Sequence, residues 1–157
     1  MTTWGVRGIL LFWALWLSVV SASNVVDALQ ATGALAPGWS FASGNLSLVA
    51  ESLSIYAMAP AAAGVLFALV LLLELAASAL FWRAALDPDP LGAASQDKIL
   101  APFWLSIGLF CVFLVFDELL LVYRRFPSLA PTHFAILSAL LLSVILIRML
   151  DAGRRTR

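Results

Sequence analysis

Long, predominantly apolar segments, separated by shorter polar ones, dominate the pattern of this sequence. They cover residues 8–27, 60–82, 99–123 and 131–150. An α-helix rises about 1.5 Å per residue, so about 20 apolar residues cross the roughly 30 Å of bilayer hydrocarbon. The pattern therefore predicts an all-α, polytopic membrane protein with four transmembrane helices, spans 1 to 4, which form a single membrane domain over residues 1–157.

Span 1 also has features of a cleavable signal peptide. Arg7 precedes an apolar core, and the small residues Ser21 and Ser23 follow that core. We interpret the segment as a permanent anchor, because its apolar character continues through Val25 and Val26.

The long first loop, residues 28–59, carries an amphipathic pattern of its own. Leu46, Val49 and Leu53 recur at helical spacing after Asn45, a suitable N-cap. Apolar residues on one face of a short helix favour a position in the membrane interface. The loop is therefore predicted to carry a short interfacial helix.

The connector between spans 2 and 3 contains two Asp-Pro pairs at residues 87–90. A residue that precedes proline avoids the α-helical region, so this segment is predicted to be a stiff polar turn. Span 3 is then predicted to start after Ser95, which would act as its N-cap.

Small residues recur every three or four positions at the start of span 2, which lets another helix approach closely. They are Ala57, Ala61, Gly64 and Ala68. This face could form a dimer or contact spans 1 or 3 of the same chain, and we expect the contact within the chain.

The distribution of basic residues predicts how the chain is oriented. Only Arg124 and Arg125 lie on the side of the first and third loops. The others lie on the opposite side: Arg7, Arg83, Lys98, Arg148, Arg154, Arg155 and Arg157. Cytoplasmic segments carry the excess of Lys and Arg, so both termini are predicted to be cytoplasmic and the first loop faces outward. The expected location is the cell membrane, which in a bacterium is the inner membrane.

Composition narrows the classes of function. The chain is 63% hydrophobic and 11% charged, with a formal net charge of zero, so we expect the lipid bilayer as its surroundings and no nucleic-acid partner. Its one cysteine, Cys111, allows no dithiol chemistry, and its one histidine, His133, provides no ligand set for heme or metal. We therefore expect no cofactor.

Glu74 is the strongest candidate for a functional residue inside the membrane. It lies eight residues before Trp82, about 12 Å from the cytoplasmic edge by helical rise. An ionised carboxylate at such depth costs roughly 2.5–3.5 kcal/mol on insertion scales, so we expect Glu74 to be protonated. It could fasten helices together or handle protons.

A second group of polar residues collects near the outer face. Its members are Asn24, Asp27, Asp117, Glu118, Arg124, Arg125 and His133. Asp117 with Arg124, and Glu118 with Arg125, are two helical turns apart, so we expect one of these acids to pair with one of these bases. The group is either a belt of salt bridges or a small outward-facing site covered by the first loop.

The strings LWLSVV at 15–20 and SNVVD at 23–27 resemble the first helix of a bacterial family described only as predicted small integral membrane proteins. The layout that follows is also similar, with Glu74 embedded in the second helix, Trp82-Arg83 at its end, and Lys98 before the third. The resemblance implies a four-helix membrane fold and no known activity.

Three kinds of function fit these observations. We favour an accessory or assembly subunit that packs in a larger membrane complex or against a second copy, because the chain has abundant apolar helix surface and lacks the residues of an independent enzyme. A small transporter would move protons through Glu74. A lipid- or quinone-binding protein would use the outer polar cluster. We expect no enzyme, because the sequence shows no activated nucleophile and no glycine-rich phosphate loop.

Overall fold

A computed structural model describes residues 2–92 and 96–155 of the chain. These residues form helices and no strands. The helices are α1 (Thr2–Ala31), α2 (Asn45–Leu53), α3 (Pro60–Ala85), α4 (Gln96–Leu119) and α5 (Leu129–Arg155), with short 3₁₀ turns at Ser54–Tyr56 and Val122–Arg124. Ser95, predicted to cap the third span, and Arg157, used in the orientation, lie outside the described residues.

Four of these helices, α1, α3, α4 and α5, are long and apolar enough to cross a membrane, which confirms the predicted fold class. The first, second and fourth spans extend beyond their predicted limits. About 20 residues are enough to cross the hydrocarbon, so these extensions add turns beyond the length that a crossing needs.

Span 3 ends earlier than predicted, at Leu119 rather than at residue 123. The reason lies at Leu121, which adopts a left-handed conformation (φ 49°) and starts a 3₁₀ turn. This reversal allows Leu120 and Val122 to be buried together, beside Leu53 of α2. Burial of apolar side chains at the end of the bundle thus opposes a longer helix.

The bundle has two ends, which differ in structure. The α2 end contains α2 and the loops at residues 32–59 and 120–128. The termini end, on the opposite side of the bundle, contains the start of α1 and the last turn of α5. Helix α1 packs mainly against α3, α3 also packs on α4, and α4 packs on α5. A large apolar core fills the half toward the termini end, with Leu10, Trp13, Phe81 and Phe103 at its centre. A smaller core lies at the α2 end.

The connector after α3 is a turn, as its prolines predict, and polar contacts tie it to three helices. The Arg7 guanidinium donates to the carbonyl oxygens of Asp87 (2.7 Å) and Pro88 (3.2 Å). Lys98 pairs with the Asp87 carboxylate at 3.1 Å, and Arg154 approaches Asp89 at 3.6 Å. The termini end is therefore fastened at its surface by ion pairs, with the apolar core beneath.

The contact within the chain that we expected for the small residues of span 2 is wrong. Ala57, Ala61, Gly64 and Ala68 are all exposed. A Cβ added at Gly64 would meet nothing within 4 Å. Helix α3 instead turns toward its neighbours the face that carries Phe67 and Phe81, and the rotation that buries these two large side chains leaves the small residues of the first turns outside.

Candidate functional site

The carboxylate of Asp27 attaches the start of α2 to α1. Asp27, near the end of α1, accepts a hydrogen bond from the backbone N–H of Leu46 at 2.8 Å and another from the Ser43 hydroxyl at 3.1 Å. Gly44 occupies the N-cap position with φ 72°, and Asn45 is the first helical residue. Asp27 thus takes the role that the sequence assigned to Asn45, which leaves the Asn45 side chain available for another contact.

The Asn45 side chain begins a row of hydrogen bonds that leads to Glu74. Its Nδ2 donates to Oδ1 of Asn24 at 2.8 Å, and Nδ2 of Asn24 donates to Oε2 of Glu74 at 2.6 Å. Asn24 is 1% exposed and Glu74 is 6% exposed. Three helices, α2, α1 and α3, therefore meet at one buried polar row, which brings the intramembrane acid into the group predicted at the outer face.

A second buried polar pair joins α4 to α5. Nδ1 of His133 lies 2.7 Å from Oδ2 of Asp117, and Asp117 is only 3% exposed. The imidazole ring also packs against Phe113 and Phe110, with ring centroids 5.0 and 6.0 Å apart. These contacts fix the plane of the imidazole and leave Nε2 as the ring nitrogen that Asp117 does not engage.

The pairing that we predicted for Asp117 and Glu118 with Arg124 and Arg125 is wrong. Asp117 faces His133 instead, and the Arg125 guanidinium lies 3.6 Å from the Glu51 carboxylate. The prediction assumed a continuous helix through both arginines. Because α4 ends at Leu119 and the chain reverses, residues two turns apart no longer share a face.

Both polar groups line one pocket near the α2 end. It encloses about 150 Å³ and lies among α2, α3, α4 and the start of α5. Apolar side chains form most of its wall, while Asn24, Asn45, Glu74, Asp117 and His133 supply its main polar groups. Among the described residues that line the pocket, none is Lys or Arg. The result is an apolar cavity with hydrogen-bonding groups at fixed places.

The structure therefore divides the predicted outer cluster. Asn24, Asp117 and His133 line the pocket together with Glu74. Asp27 does not line the pocket and instead holds the start of α2 through its hydrogen bonds from Ser43 and Leu46. Three members are exposed and do not line the pocket: Glu118, Arg124 and Arg125.

Sequence reasoning missed Asn45 and the aromatic wall of the pocket. Asn45 was assigned only a capping role. Its side-chain amide, which can both donate and accept, is the signal that could have indicated a hydrogen bond to another helix. Phe67, Phe113 and Phe116 also line the pocket. In a chain with 10 Phe residues, no spacing distinguishes these from phenylalanines that face lipid.

On the side of Glu74 that faces the termini end, polar side chains form hydrogen bonds with one another. The hydroxyls of Ser18 and Ser78 are 2.9 Å apart, and the Trp82 indole donates to Ser18 at 2.9 Å. Beyond them lie Leu10 and Phe81, which are fully buried in the large apolar core. This arrangement separates the pocket from the termini end by apolar packing.

The described part of the chain shows neither a cluster of metal ligands nor a match to a known protein. Within residues 2–92 and 96–155, no group of three or more His, Cys, Asp or Glu side chains is arranged to hold a metal ion. No known protein family, curated protein or solved structure matches the chain. The pocket must therefore be interpreted from its own geometry, and the resemblance to small integral membrane proteins stays an expectation.

Proposed function

We propose that this protein binds an amphiphile, a lipid or a quinone, in the pocket at the α2 end. The observation that carries the proposal is the meeting of two buried polar groups, Asn24 with Glu74 and Asp117 with His133, around one apolar cavity. Binding sites for small molecules are typically apolar clefts with a few fixed polar groups that orient the ligand. Four membrane helices with such a cleft suit a ligand that resides in the bilayer.

The proposal also includes an orientation. With the termini end in the cytoplasm, the pocket lies in the outer half of the bilayer, and α2 covers it from the outer interface. An amphiphile could then enter laterally, with its chain still in lipid and its polar head against Asn24, Glu74 and His133. The exposed apolar residues Trp39 and Phe41 beside α2 suit an interfacial position.

The interpretation as an accessory subunit stays a prediction. Exposed apolar residues on α5, such as Phe134, Leu142 and Met149, would serve a partner helix. They serve lipid equally well, since lipid tails are as apolar as these side chains. The pocket, by contrast, is a feature that contact with lipid alone does not require.

Proton transport through Glu74 has less support than ligand binding. A conducting path needs polar groups at successive depths, and the packing of Leu10, Phe81 and Phe103 toward the termini end interrupts it. Glu74 is also engaged by the Asn24 amide. Its position favours contact with a molecule in the pocket over transfer across the membrane.

Retention of an amphiphile through purification tests the proposal. The full chain is extracted gently from its native membrane, washed in detergent, and its bound amphiphiles are quantified by liquid chromatography and mass spectrometry. Val70→Trp fills the pocket from the wall formed by α3, and Val65→Trp places the same side chain on an exposed site of the same helix. We expect one amphiphile species near one copy per chain in the wild type and in Val65→Trp, and a loss of at least several-fold in Val70→Trp.

Equal retention in all three proteins would contradict the proposal, since the amphiphile would then be bound elsewhere. A larger membrane protein that copurifies at constant stoichiometry, with no retained amphiphile, would instead favour the accessory subunit.

A further inference from the structure

The size of the pocket limits which part of an amphiphile it can hold. Sites that enclose whole drug-sized ligands span about 300–1,000 Å³, whereas an apolar cavity of about 150 Å³ in another protein accommodates benzene. The present pocket, at about 150 Å³, is in the second range. It therefore matches one six-membered ring rather than a phospholipid headgroup with its glycerol.

The charge of the pocket lining also argues against a phospholipid headgroup. Phosphate-binding sites use Arg, Lys or exposed backbone N–H groups. None of the described lining residues is Lys or Arg, and two carry carboxyl groups. The nearby Arg125 is directed to Glu51 and Ser54. An anionic head would thus meet the carboxyl groups of Glu74 and Asp117 without a Lys or Arg side chain to bind it.

The shape of the wall favours a flat head. Phe67, Phe113 and Phe116 line the pocket together with the imidazole of His133. Aromatic rings pack favourably against one another in offset or edge-on arrangements, which adds about 0.5–1.5 kcal/mol beyond the area buried. A planar ring gains this contribution and a flexible acyl chain does not.

The polar groups of the pocket can form hydrogen bonds with oxygen atoms on such a ring. Glu74 in its protonated form has a hydroxyl to donate, while its Oε2 accepts from Asn24. His133, when it donates from Nδ1 to Asp117, presents Nε2 as an acceptor. One group thus suits a ring carbonyl and the other a ring hydroxyl.

Building on the proposed function, we infer that the ligand's head is a neutral planar ring with carbonyl or hydroxyl oxygens, the chemistry shared by quinones and hydroquinones. The ring packs against the aromatic wall, a ring carbonyl accepts from Glu74 or a ring hydroxyl donates to Nε2 of His133, and the apolar tail extends into the bilayer.

Three probes with the same ten-carbon tail test this inference. The delipidated full-length protein is titrated in detergent, by calorimetry, with decylubiquinone, decylbenzene and decyl phosphate. We expect decylubiquinone to saturate at one per chain and to bind roughly tenfold or more tightly than decylbenzene, since the latter lacks the oxygens that make the buried hydrogen bonds. Decyl phosphate should bind more weakly than decylubiquinone.

Variants locate the binding. His133→Phe keeps a ring and removes the Nε2 acceptor, so the affinity for the hydroquinone form of the probe, decylubiquinol, should fall roughly tenfold while that for decylbenzene changes little. Glu118→Gln, an exposed neighbour of Asp117 outside the lining, should leave both affinities within about twofold. The comparison of probes on the wild type stands even if His133→Phe fails to fold.

The outcomes separate the two proposals. Saturable binding of decylbenzene or decyl phosphate at least as tight as that of decylubiquinone overturns the quinone-like head and leaves an amphiphile site in place. A failure of all three probes to saturate, together with no retained amphiphile, overturns both proposals.

Discussion

At the level of single residues, the sequence predicted how deep a polar side chain lies in the membrane, but it did not predict which side chain it bonds to. The position of Glu74 in an apolar span indicated that it needed a neutral state or a partner. Its partner, Asn24, lies 50 positions away along the chain and was assigned to a different group of residues. A single sequence gives the rotation of each helix only weakly when every face is apolar, so it could not show that the two groups share a pocket.

The neutral state of Glu74 is the first prediction at this scale. Glu74 is buried and bonded to an amide rather than to a cation. We therefore expect infrared spectra of the membrane-embedded protein at neutral pH to show a protonated-carboxyl band that Glu74→Gln removes. Glutamine keeps the size and hydrogen bonding, so the variant should fold normally. A band that persists in the variant, or a carboxylate signal in its place, would contradict the assignment.

Asp117 and Glu118 are adjacent acids in different surroundings, which gives a second prediction. Asp117 is buried against His133, whereas Glu118 is exposed. Asp117→Ala leaves the imidazole without its partner and should lower the free energy of unfolding by about 1–3 kcal/mol. Glu118→Ala should leave stability unchanged. Chemical denaturation in detergent measures both, and equal effects would show that burial of the pair has no energetic consequence.

At the scale of elements, the four spans and the short helix in the first loop could be predicted, because each depends on local apolar pattern. The end of α4 could not. It depends on Leu120 and Val122 burying themselves against α2 and α3, which are distant in sequence. The predicted ion pairs with Arg124 and Arg125 failed for this reason, since they assumed that the helix continued.

The attachment of α2 gives a prediction at this scale. Asp27 accepts from the first turn of α2, and loss of a helix cap costs about 0.5–2 kcal/mol. Asp27→Ala should therefore speed amide hydrogen exchange across residues 45–53, while the long helices stay protected. Asp27→Asn keeps an oxygen acceptor and serves as the matched control. Unchanged exchange in Asp27→Ala would show that other contacts hold α2.

At the level of the whole molecule, the two ends of the bundle differ both in charge and in structure. The termini end carries most of the basic residues and the ion pairs around Asp87. The α2 end carries the pocket. We therefore predict that a C-terminal fusion to alkaline phosphatase is inactive and that a fusion to green fluorescent protein is fluorescent. Strong phosphatase activity would place the pocket on the cytoplasmic side.

The central claim is that one amphiphile occupies the pocket formed by α2, α3, α4 and α5. Photolabelling tests it most directly. A diazirine-bearing analogue of the retained amphiphile is activated in native membranes, and labelled peptides are mapped with and without an excess of the unlabelled compound. We expect the competitor to abolish labelling of pocket residues such as Val70 and Phe113, and to leave labelling of exposed apolar residues such as Leu142 unchanged. Labelling of the pocket residues that the competitor does not reduce would contradict the claim.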